Sequence, residues 1–402
     1  MKFEFDSKFK IKNSILAALL LIFAFFILNL LPREAHAAAP WFSPNWAYRK
    51  RITLQQSKVV GTQVNFPVLV SLTDSNLASN ARADGRDILF TSADGKTKLA
   101  HELEQFHASA SGAGSGAGQV EAWVKIPSLD ANVNTDIYMY YGNSSAAVQQ
   151  ATTTVWNENY VGVWHLKENP AGTAPQMMDS TGPKNNGTSN GAQVVGDQQP
   201  GKIDGSLNFD GSNDYVDVTD SNSLDLTNNF TISLWVNPAS TQNQYADMLG
   251  KHVDAASGGY VIEQNSTNNN QYYVSWGDGS TFYCNAGTDT TTLTANQWQL
   301  FTITKSGTAL THYVNAAQTK TCTGASATIN ANTLNLALGR SQYTASNRVF
   351  SGKLDEVRVM ATSTSANWIT TEYNNQSATS TFFTLGSQET APTSVGIRLR
   401  GR

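Results

Sequence analysis

Residues 209–220 read FDGSNDYVDVTD, in which turn-forming residues lead into an alternating strand. Successive side chains of a strand point to opposite faces, so Asp214 shares a face with Val216 and Val218. Gly, Ser and Asn before such an alternation are typical of a corner between antiparallel strands. The stretch therefore predicts a β-sheet corner with one carboxylate on the core side.

Similar strand signals recur on both sides of this stretch. Residues 155–387 contain many short apolar or alternating runs, among them FTISLWVNP and WQLFTITK, without the helical crossovers of a parallel sheet. Residues 46–150 contain a second series, including YRKRITL and VEAWVKI. One short helix is predicted at SANWITTEYNN, where Ser365 can cap the first turn. The chain is therefore predicted to be all-β, with two jelly-roll-like β-sandwich domains in series.

The two ends of the chain differ from these domains. Lysines precede an uncharged apolar run at 15–31, and the motif AHA ends at Ala37, which is typical of an export signal cleaved after that residue. The run is nearly long enough to span a bilayer, so a hydrophobic anchor helix in residues 1–37 is the alternative. Residues 388–402 show no periodicity and are predicted to form a disordered tail. We expect an extracellular or cell-surface location.

Charge and cysteine content limit the partners. The formal charge of -4 and the charged content of 14% leave no basic surface for a phosphate backbone, which argues against nucleic acid as a partner. Contact with a membrane is expected only through the N-terminal segment. In an oxidising compartment Cys284 and Cys322 are expected to form a disulfide, and two buried thiols are the alternative.

Two sets of motifs resemble known families. WAYRKRITL, NFPVLVSL, ADGRDILFTSADGKTKLAHELEQF, VEAWVKIPSL and TDIYMYYGN resemble the domain of unknown function 2341, which has no assigned activity. GVWHL, FDGSNDYVDV, FTISLWVNP, NQWQLFTITKSGT and GKLDEVRV resemble the laminin-G-like branch of the concanavalin A-like lectin/glucanase superfamily. The second resemblance implies a jelly-roll sandwich of a kind that binds sugars or proteins, or serves as a spacer beside enzymes.

A second aspartate is also predicted to point inward. Strict alternation in GKLDEVRV places Asp355 in phase with Val357 and Val359, and it places Glu356 and Arg358 together on the opposite face, where they can pair. A buried carboxylate needs a partner, because an unpaired buried charge costs several kcal/mol.

The inward carboxylates have two explanations. They can accept backbone N–H groups of nearby turns, as Asp commonly does. Alternatively, Asp210, Asp214 and Asp355 can hold a structural calcium ion, because Ca²⁺ prefers carboxylate and carbonyl oxygens. Calcium is the only cofactor that these residues suggest.

Catalytic patterns are missing from the sequence. Glycoside hydrolysis needs two carboxylates facing one cleft, and no E-x-D-x-x-E strand is present. Asp355 and Glu356 would lie on opposite faces of one strand. No G-x-S-x-G, H-E-x-x-H or phosphate-binding glycine loop occurs either, and His165 is interpreted as a packed strand residue rather than a ligand. The chain is therefore not expected to be an enzyme.

Binding requires exposed aromatic rings with polar side chains around them. YYVSWGDGSTFYC is the best local candidate, with Tyr273, Trp276 and Tyr283 as a platform that stacks on sugar rings, and Tyr343 is a further candidate in a polar loop. The alternative is that these rings belong to the core.

The leading hypothesis is thus an exported, non-catalytic binding protein that recognises carbohydrate or a surface protein. A structural or adhesive spacer of a surface layer or fibre is the second hypothesis, and a glycan-cleaving enzyme is the third.

Overall fold

The strand signals of the sequence become two β-sandwiches in the computed structural model. It describes residues 40–108, 118–156, 159–253, 257–266, 269–285, 287–342 and 348–392. The predicted leader, Tyr343 and the end of the predicted tail lie outside these residues. Within the described ranges, no helix combines the length and the apolar character needed to span a bilayer.

The first sandwich consists of two antiparallel sheets. Its strands are β1 (Tyr48–Leu54), β2 (Gln63–Asp74), β3 (Leu89–Ser92), β4 (Lys98–Leu99), β5 (His101–His107), β6 (Gly118–Leu129), β7 (Thr135–Tyr141) and β24 (Phe383–Thr390). One sheet has the order β24-β1-β7-β3-β4 and the other the order β2-β6-β5. Apolar side chains from both sheets, such as Ile52, Val68 and Val124, meet in the core between them.

The C-terminal segment belongs to this first sandwich, which corrects two predicted boundaries. Strand β24 pairs along its whole length with β1, from Phe383 opposite Leu54 to Thr390 opposite Tyr48. The second domain therefore does not extend to residue 387. Nor do residues 388–390 form a disordered tail, because their backbone groups complete the edge of a sheet.

The second sandwich is inserted between β7 and β24. Its strands are β8 (Tyr160–Trp164), β9 (Gly187–Asn190), β10 (Gln198–Pro200), β11 (Gly205–Asp210), β12 (Tyr215–Val218), β13 (Phe230–Pro238), β14 (Asp247–Lys251), β15 (Gly259–Gln264), β16 (Gln271–Gly277), β17 (Phe282–Tyr283), β18 (Thr291–Thr292), β19 (Gln299–Ser306), β20 (Ala309–Val314), β21 (Ala317–Thr323), β22 (Leu336–Leu338) and β23 (Ser351–Met360). The inner sheet, nearer the first sandwich, has the order β10-β11-β23-β13-β19-β20-β21, with β8 beside β23. The outer sheet has the order β17-β16-β15-β14-β22-β12-β9, with β18 beside β16. The strands pair antiparallel, which confirms the all-β prediction.

Short helices lie within the first sandwich and in the segments that connect the two sandwiches. They are α1 (Ser75–Asn80), α2 (Thr152–Val155), α3 (Ala366–Ser377) and α4 (Thr379–Phe382). Helix α3 is the predicted one, and Ser365 Oγ accepts a hydrogen bond from the Trp368 backbone N–H at 3.2 Å, as expected for an N-cap. Asn375 of the same helix bonds both the N–H and the C=O of Leu69 in β2, at 2.7 and 3.0 Å. The helix thereby joins the inserted domain to the first sandwich.

The two sandwiches share a buried apolar contact, here called the junction. Its buried residues come from both domains: Leu69, Trp123, Val155, Trp156, Tyr160, Val163, Ile203, Trp235, Leu300 and Met360. Residues from Trp41 onward accordingly form one compact unit. Strand β13 is buried on both faces for this reason, because Leu234 and Val236 face the core between the sheets and Trp235 faces the junction.

A β-bulge in β23 changes the predicted orientation of Asp355. Pairing with β13 shifts register between Ser233 and Trp235, and Glu356 has a φ of 52°. The extra residue breaks strict alternation, so Val357 faces the core while Asp355 points to the junction with Trp235. Asp355 is buried, as predicted, but not in phase with Val357.

Candidate functional site

The predicted aromatic platform does not form, because its rings lie on two faces of the outer sheet. Trp276 is in phase with Tyr272 and Val274, and all three are buried in the core of the second sandwich. Tyr283 is the cross-strand partner of Trp276 and packs on its ring at 5.4 Å. Trp276 and Tyr283 are therefore core or core-edge residues and not a sugar-stacking surface.

Tyr273 points the other way, to the outer face of this sheet. Its hydroxyl donates a hydrogen bond to Glu263 Oε1, and Glu263 is its cross-strand partner in β15. Glu263 is in turn the cross-strand partner of Asp247 in β14. Three neighbouring strands thus place a tyrosine and two acids in one row.

A histidine and an arginine complete this group. His252 Nε2 lies 3.3 Å from Asp247 Oδ2, and an Arg348 guanidinium nitrogen lies 3.7 Å from Glu263 Oε2. Burial, and then the charge of Asp247, raise the pKa of Glu263 to about 9. Burial also raises the pKa of Asp247, although His252 opposes this shift. At neutral pH Glu263 therefore retains a proton that a carboxyl in water would have lost.

These residues surround a pocket of about 150 Å³, here called the acidic pocket. Its walls include Tyr245, His252, Glu263, Tyr273, Ser275 and Phe282, with Asn285 and Arg348 beside them. The two wall atoms His252 Nδ1 and Ser275 Oγ are buried without a hydrogen-bond partner. Buried polar atoms in native proteins nearly always have partners, so this concentration marks a place where a ligand or water can supply them.

The acidic pocket has the donor and acceptor groups to bind a polar molecule. Carboxyl, imidazole, hydroxyl and guanidinium groups can hydrogen-bond ligand hydroxyls, and Tyr245 and Phe282 provide apolar ring surface. One atom each of Asp247, His252 and Glu263 lie within 4.8 Å of one another, so this group could also hold a cation. Sequence reasoning missed these acids, because they lie on different strands and form no local motif.

The predicted calcium ligands are not brought together. Asp210 pairs with Ser351 in β23, and Asp355 lies four residues further along that strand, about 13 Å away at ~3.3 Å per residue. Asp355 Oδ2 instead accepts the backbone N–H groups of Lys202 and Ile203, at 2.7 and 2.9 Å. The structure therefore does not bring Asp210, Asp214 and Asp355 together around one ion.

The turn at 210–214 is held by hydrogen bonds from its backbone N–H groups to aspartate side chains. Asp210 Oδ1 accepts the N–H groups of Ser212, Asn213 and Asp214, at 2.7, 3.1 and 3.4 Å. Asp214 is buried and accepts the Asp210 N–H at 3.2 Å. FDGSNDYVDVTD thus forms a hydrogen-bonded sheet corner.

His165 lies in the junction, within a network of ion pairs. Its Nδ1 is 2.5 Å from Glu356 Oε1, and its Nε2 is 3.3 Å from Glu102 Oε2. Arg358 donates to Glu356 at 2.6 Å and to Glu372 at 2.9 Å, which confirms the predicted Glu356–Arg358 pair. Burial alone would lower the pKa of His165, but the surrounding carboxylates raise it well above its ordinary value.

The disulfide predicted between Cys284 and Cys322 is present. It joins the end of β17 in the outer sheet to β21 in the inner sheet. The bond therefore ties the two sheets of the second sandwich together behind Trp276.

Family comparisons agree with this architecture. Residues 84–161 match the domain of unknown function 2341, and residues 210–370 match the concanavalin A-like lectin/glucanases superfamily. The chain thus carries a domain of the first kind followed by a laminin-G-like concanavalin A-like domain, in the predicted order. No curated protein matches the chain.

Several solved structures are similar to part of the chain at low sequence identity. The binding domain of Paraclostridial Mosquitocidal Protein 1 is 15% identical, with a TM-score of 0.41, over 54% of this chain and 52% of that one. Domain 4 of AbnA, an extracellular arabinanase from Geobacillus stearothermophilus solved with arabinotriose, is 18% identical, with a TM-score of 0.40, over 53% of this chain and 98% of that one. The botulinum neurotoxin serotype D binding domain is 15% identical, with a TM-score of 0.40, over 56% and 53% of the respective chains. The chain spans about half the length of the two toxin domains.

Proposed function

We propose that this chain is a non-catalytic binding protein whose concanavalin A-like domain holds a hydroxyl-rich ligand, carbohydrate foremost, in the acidic pocket. The observation that carries the proposal is the pair of buried polar atoms without protein partners on the pocket wall: His252 Nδ1 and Ser275 Oγ. Ligand hydroxyls would satisfy them as both donors and acceptors.

Pocket size and shape support a carbohydrate over a compact drug-like molecule. About 150 Å³ is well below the ~300–1,000 Å³ of common small-molecule sites, so the pocket would take one ring or end group of a longer chain. Tyr245 is partly exposed and its ring contacts the Arg348 guanidinium at 4.7 Å, which leaves an aromatic and cationic rim for the remainder of a glycan. A surface protein bearing such glycans is the partner we propose.

Glycan cleavage is the second candidate, because Asp247 and Glu263 are cross-strand neighbours. Glycosidases keep one carboxyl ionised as base or nucleophile and the other protonated as acid. In this pocket burial raises the pKa of both acids, and Asp247 is fully buried. These features favour hydrogen bonding to a ligand over attack on one, and we propose that the chain has no hydrolase activity.

We further propose that the protein is exported. The Cys284–Cys322 disulfide supports this location, since disulfides persist in oxidising compartments and are rare in reducing ones. The N-terminal sequence would direct the export, either as a cleaved signal or as an anchor.

A glycan array tests the proposal directly. The full-length chain should bind a defined class of glycans, and Tyr245→Ala should lose at least tenfold in affinity for them. Tyr215→Ala is the matched control, because Tyr215 also stacks with an arginine, Arg340 at 3.4 Å, on the same outer face but outside the pocket. Binding that survives Tyr245→Ala, or no binding to any glycan, would overturn the proposal.

The same samples test catalysis. Incubation of a bound oligosaccharide with the protein should release no new reducing ends over a day. Release of reducing ends by the wild type, abolished in Glu263→Gln, would instead identify a glycosidase.

A further inference from the structure

A second group of acids lies between the two sandwiches and is distinct from the acidic pocket. Glu104 and Glu121 come from β5 and β6 of the first sandwich, and Asp204 comes from the turn between β10 and β11 of the second. One carboxylate oxygen from each lies within 4.8 Å of the others. Glu104 reaches this place because β5 shifts register between Leu103 and Gln105, which leaves Glu104 as a bulged residue.

Each of the three carboxylates is held from one side by a side-chain N–H donor. Trp123 Nε1 donates to Glu104 Oε2 at 2.7 Å, Gln119 Nε2 to Glu121 Oε1 at 3.2 Å, and Gln105 Nε2 to Asp204 Oδ1 at 2.5 Å. The second oxygens of the two glutamates, Glu104 Oε1 and Glu121 Oε2, are buried and have no hydrogen-bond partner.

The burial of these two unpaired oxygens indicates that a binding partner is missing. The side chain of Glu104 is completely buried, and Glu121 is 7% exposed. A buried acceptor without a donor costs about 1–3 kcal/mol, and more when it is charged, so two of them within one group of acids indicate a missing partner. Asp204 is only partly buried, which gives an ion a route from solvent.

The surrounding cations do not fill this role. Lys167 donates its ammonium to the backbone carbonyl of Glu104, not to a carboxylate. His165 approaches Glu104 Oε2, at 3.5 Å, which is the oxygen that Trp123 already holds.

We propose that Glu104, Glu121 and Asp204 bind a hard divalent cation, with Ca²⁺ the first choice, that links the two sandwiches. All three donors are carboxylate oxygens, which Ca²⁺ and Mg²⁺ prefer, and three carboxylates can supply up to six oxygens. Borderline metals such as Zn²⁺ favour imidazole or thiolate. Both ring nitrogens of His165 face carboxylates, at 3.3 and 2.5 Å, so this imidazole is already engaged.

Terbium luminescence provides a direct probe, because Tb³⁺ replaces Ca²⁺ at oxygen sites and Trp123 lies at hydrogen-bond distance from a proposed ligand. In the full-length protein, excitation of tryptophan should sensitise Tb³⁺ emission with a stoichiometry of one, and Ca²⁺ should displace it. Ca²⁺ added after removal of metals by EDTA should raise the melting temperature by several degrees, Mg²⁺ should raise it less, and Zn²⁺ should not raise it.

Two conservative variants locate the ion. Asp204→Asn should not strain the backbone, because Asp204 has a φ of 46° and asparagine tolerates that region. Glu121→Gln keeps the shape and the bond from Gln119. In each variant, at least tenfold more Tb³⁺ should be required for half-maximal emission. At least tenfold more Ca²⁺ should be required for the same rise in melting temperature.

Glu263→Gln and Asp210→Asn are the controls. The first alters the acidic pocket, and the second alters the hydrogen-bonded turn at 210–214. Both should bind Tb³⁺ as the wild type does. If neither Ca²⁺ nor Tb³⁺ has an effect on the wild-type protein, this result alone would overturn the proposal. Loss of the effect in a control, with retention in Asp204→Asn and Glu121→Gln, would overturn it as well.

Discussion

The junction and the acidic pocket each bury a histidine among acids, yet they leave it in different states. In the junction both nitrogens of His165 face carboxylates, at 2.5 and 3.3 Å. In the pocket His252 Nε2 approaches Asp247 at 3.3 Å, and His252 Nδ1 has no partner. A histidine that is paired at both nitrogens has a structural role, whereas an unpaired buried nitrogen beside a cavity marks a place for a ligand.

The arginines of the two sites show the same contrast. Arg358 is 2% exposed, donates to two carboxylates and lies over the rings of Trp123 and Trp156, at 4.2 and 4.8 Å. Arg348 is partly exposed and lies 3.7 Å from Glu263. Removing each arginine should therefore have very different consequences for folding.

The largest effect is expected from Arg358→Met. It leaves Glu356 and Glu372 in the junction without their shared cation, and the free energy of unfolding should fall by about 3–5 kcal/mol in urea titrations. Arg348→Met is the matched change in the pocket and should cost less than ~1 kcal/mol. Equal losses would erase the distinction between the two sites.

Loss of the disulfide should rank second. The double variant Cys284→Ser, Cys322→Ser removes a crosslink over a sequence separation of 38 residues and should lower the free energy of unfolding by about 2–4 kcal/mol. Because the bond lies behind Trp276 and not in the pocket wall, glycan affinity at 25 °C should stay within threefold of wild type. A large loss of affinity in a folded double variant would show that the pocket depends on this crosslink.

The pocket should also impose a pH dependence on stability. The pKa of Glu263 is raised from 4.5 to about 9, so its folded form holds a proton that the unfolded chain releases. Its contribution is most favourable below pH 4.5 and is lost as the pH rises toward 9. Glu263→Gln should therefore show a smaller fall in melting temperature from pH 5 to pH 9, by several degrees. Identical slopes for the two proteins would contradict the raised pKa.

The smallest effect on stability concerns the helix that reaches the junction. Ser365→Ala removes the N-cap bond to Trp368 and should cost about 1 kcal/mol by chemical denaturation. Ser363→Ala, in the preceding loop, is the control and should change the free energy of unfolding by less than ~0.5 kcal/mol. A neutral Ser365→Ala would mean that packing alone fixes the start of α3.

Local sequence rules predicted the elements that depend on local chemistry. The alternation of apolar residues predicted the strands and the burial of Asp214. The cap at Ser365 was predicted from its position before an amphipathic segment. The disulfide between the two cysteines was predicted from the oxidising compartment that the N-terminal sequence suggests. Alternation applied to Tyr272, Val274 and Trp276 would also have placed Trp276 in the core, as the structure does.

Features that depend on pairing between distant strands were not visible in the sequence. Bulges at Glu104 and Glu356 each add one residue and reverse the phase that alternation predicts. The Asp247–Glu263 pair arises from the register of neighbouring strands. One signal of the junction was present: FTISLWVNP places the large ring of Trp235 on the face opposite Ile232 and Leu234, which indicates that this second face is also covered.

Strand β24 illustrates a further limit of local reasoning. FTLGSQET has the pattern of an edge strand, but nothing in it specifies that its partner is β1, more than 300 residues earlier. Only the fold brings the ends of the two domains together.

Isothermal titration of the best array glycan into the wild type, Tyr245→Ala and Tyr215→Ala tests the central claim most directly. Binding at one site per chain that is lost in Tyr245→Ala and kept in Tyr215→Ala would match the contrast between His252, whose Nδ1 lacks a partner in the pocket, and His165, whose two nitrogens are paired in the junction. Equal affinity in all three proteins would contradict it.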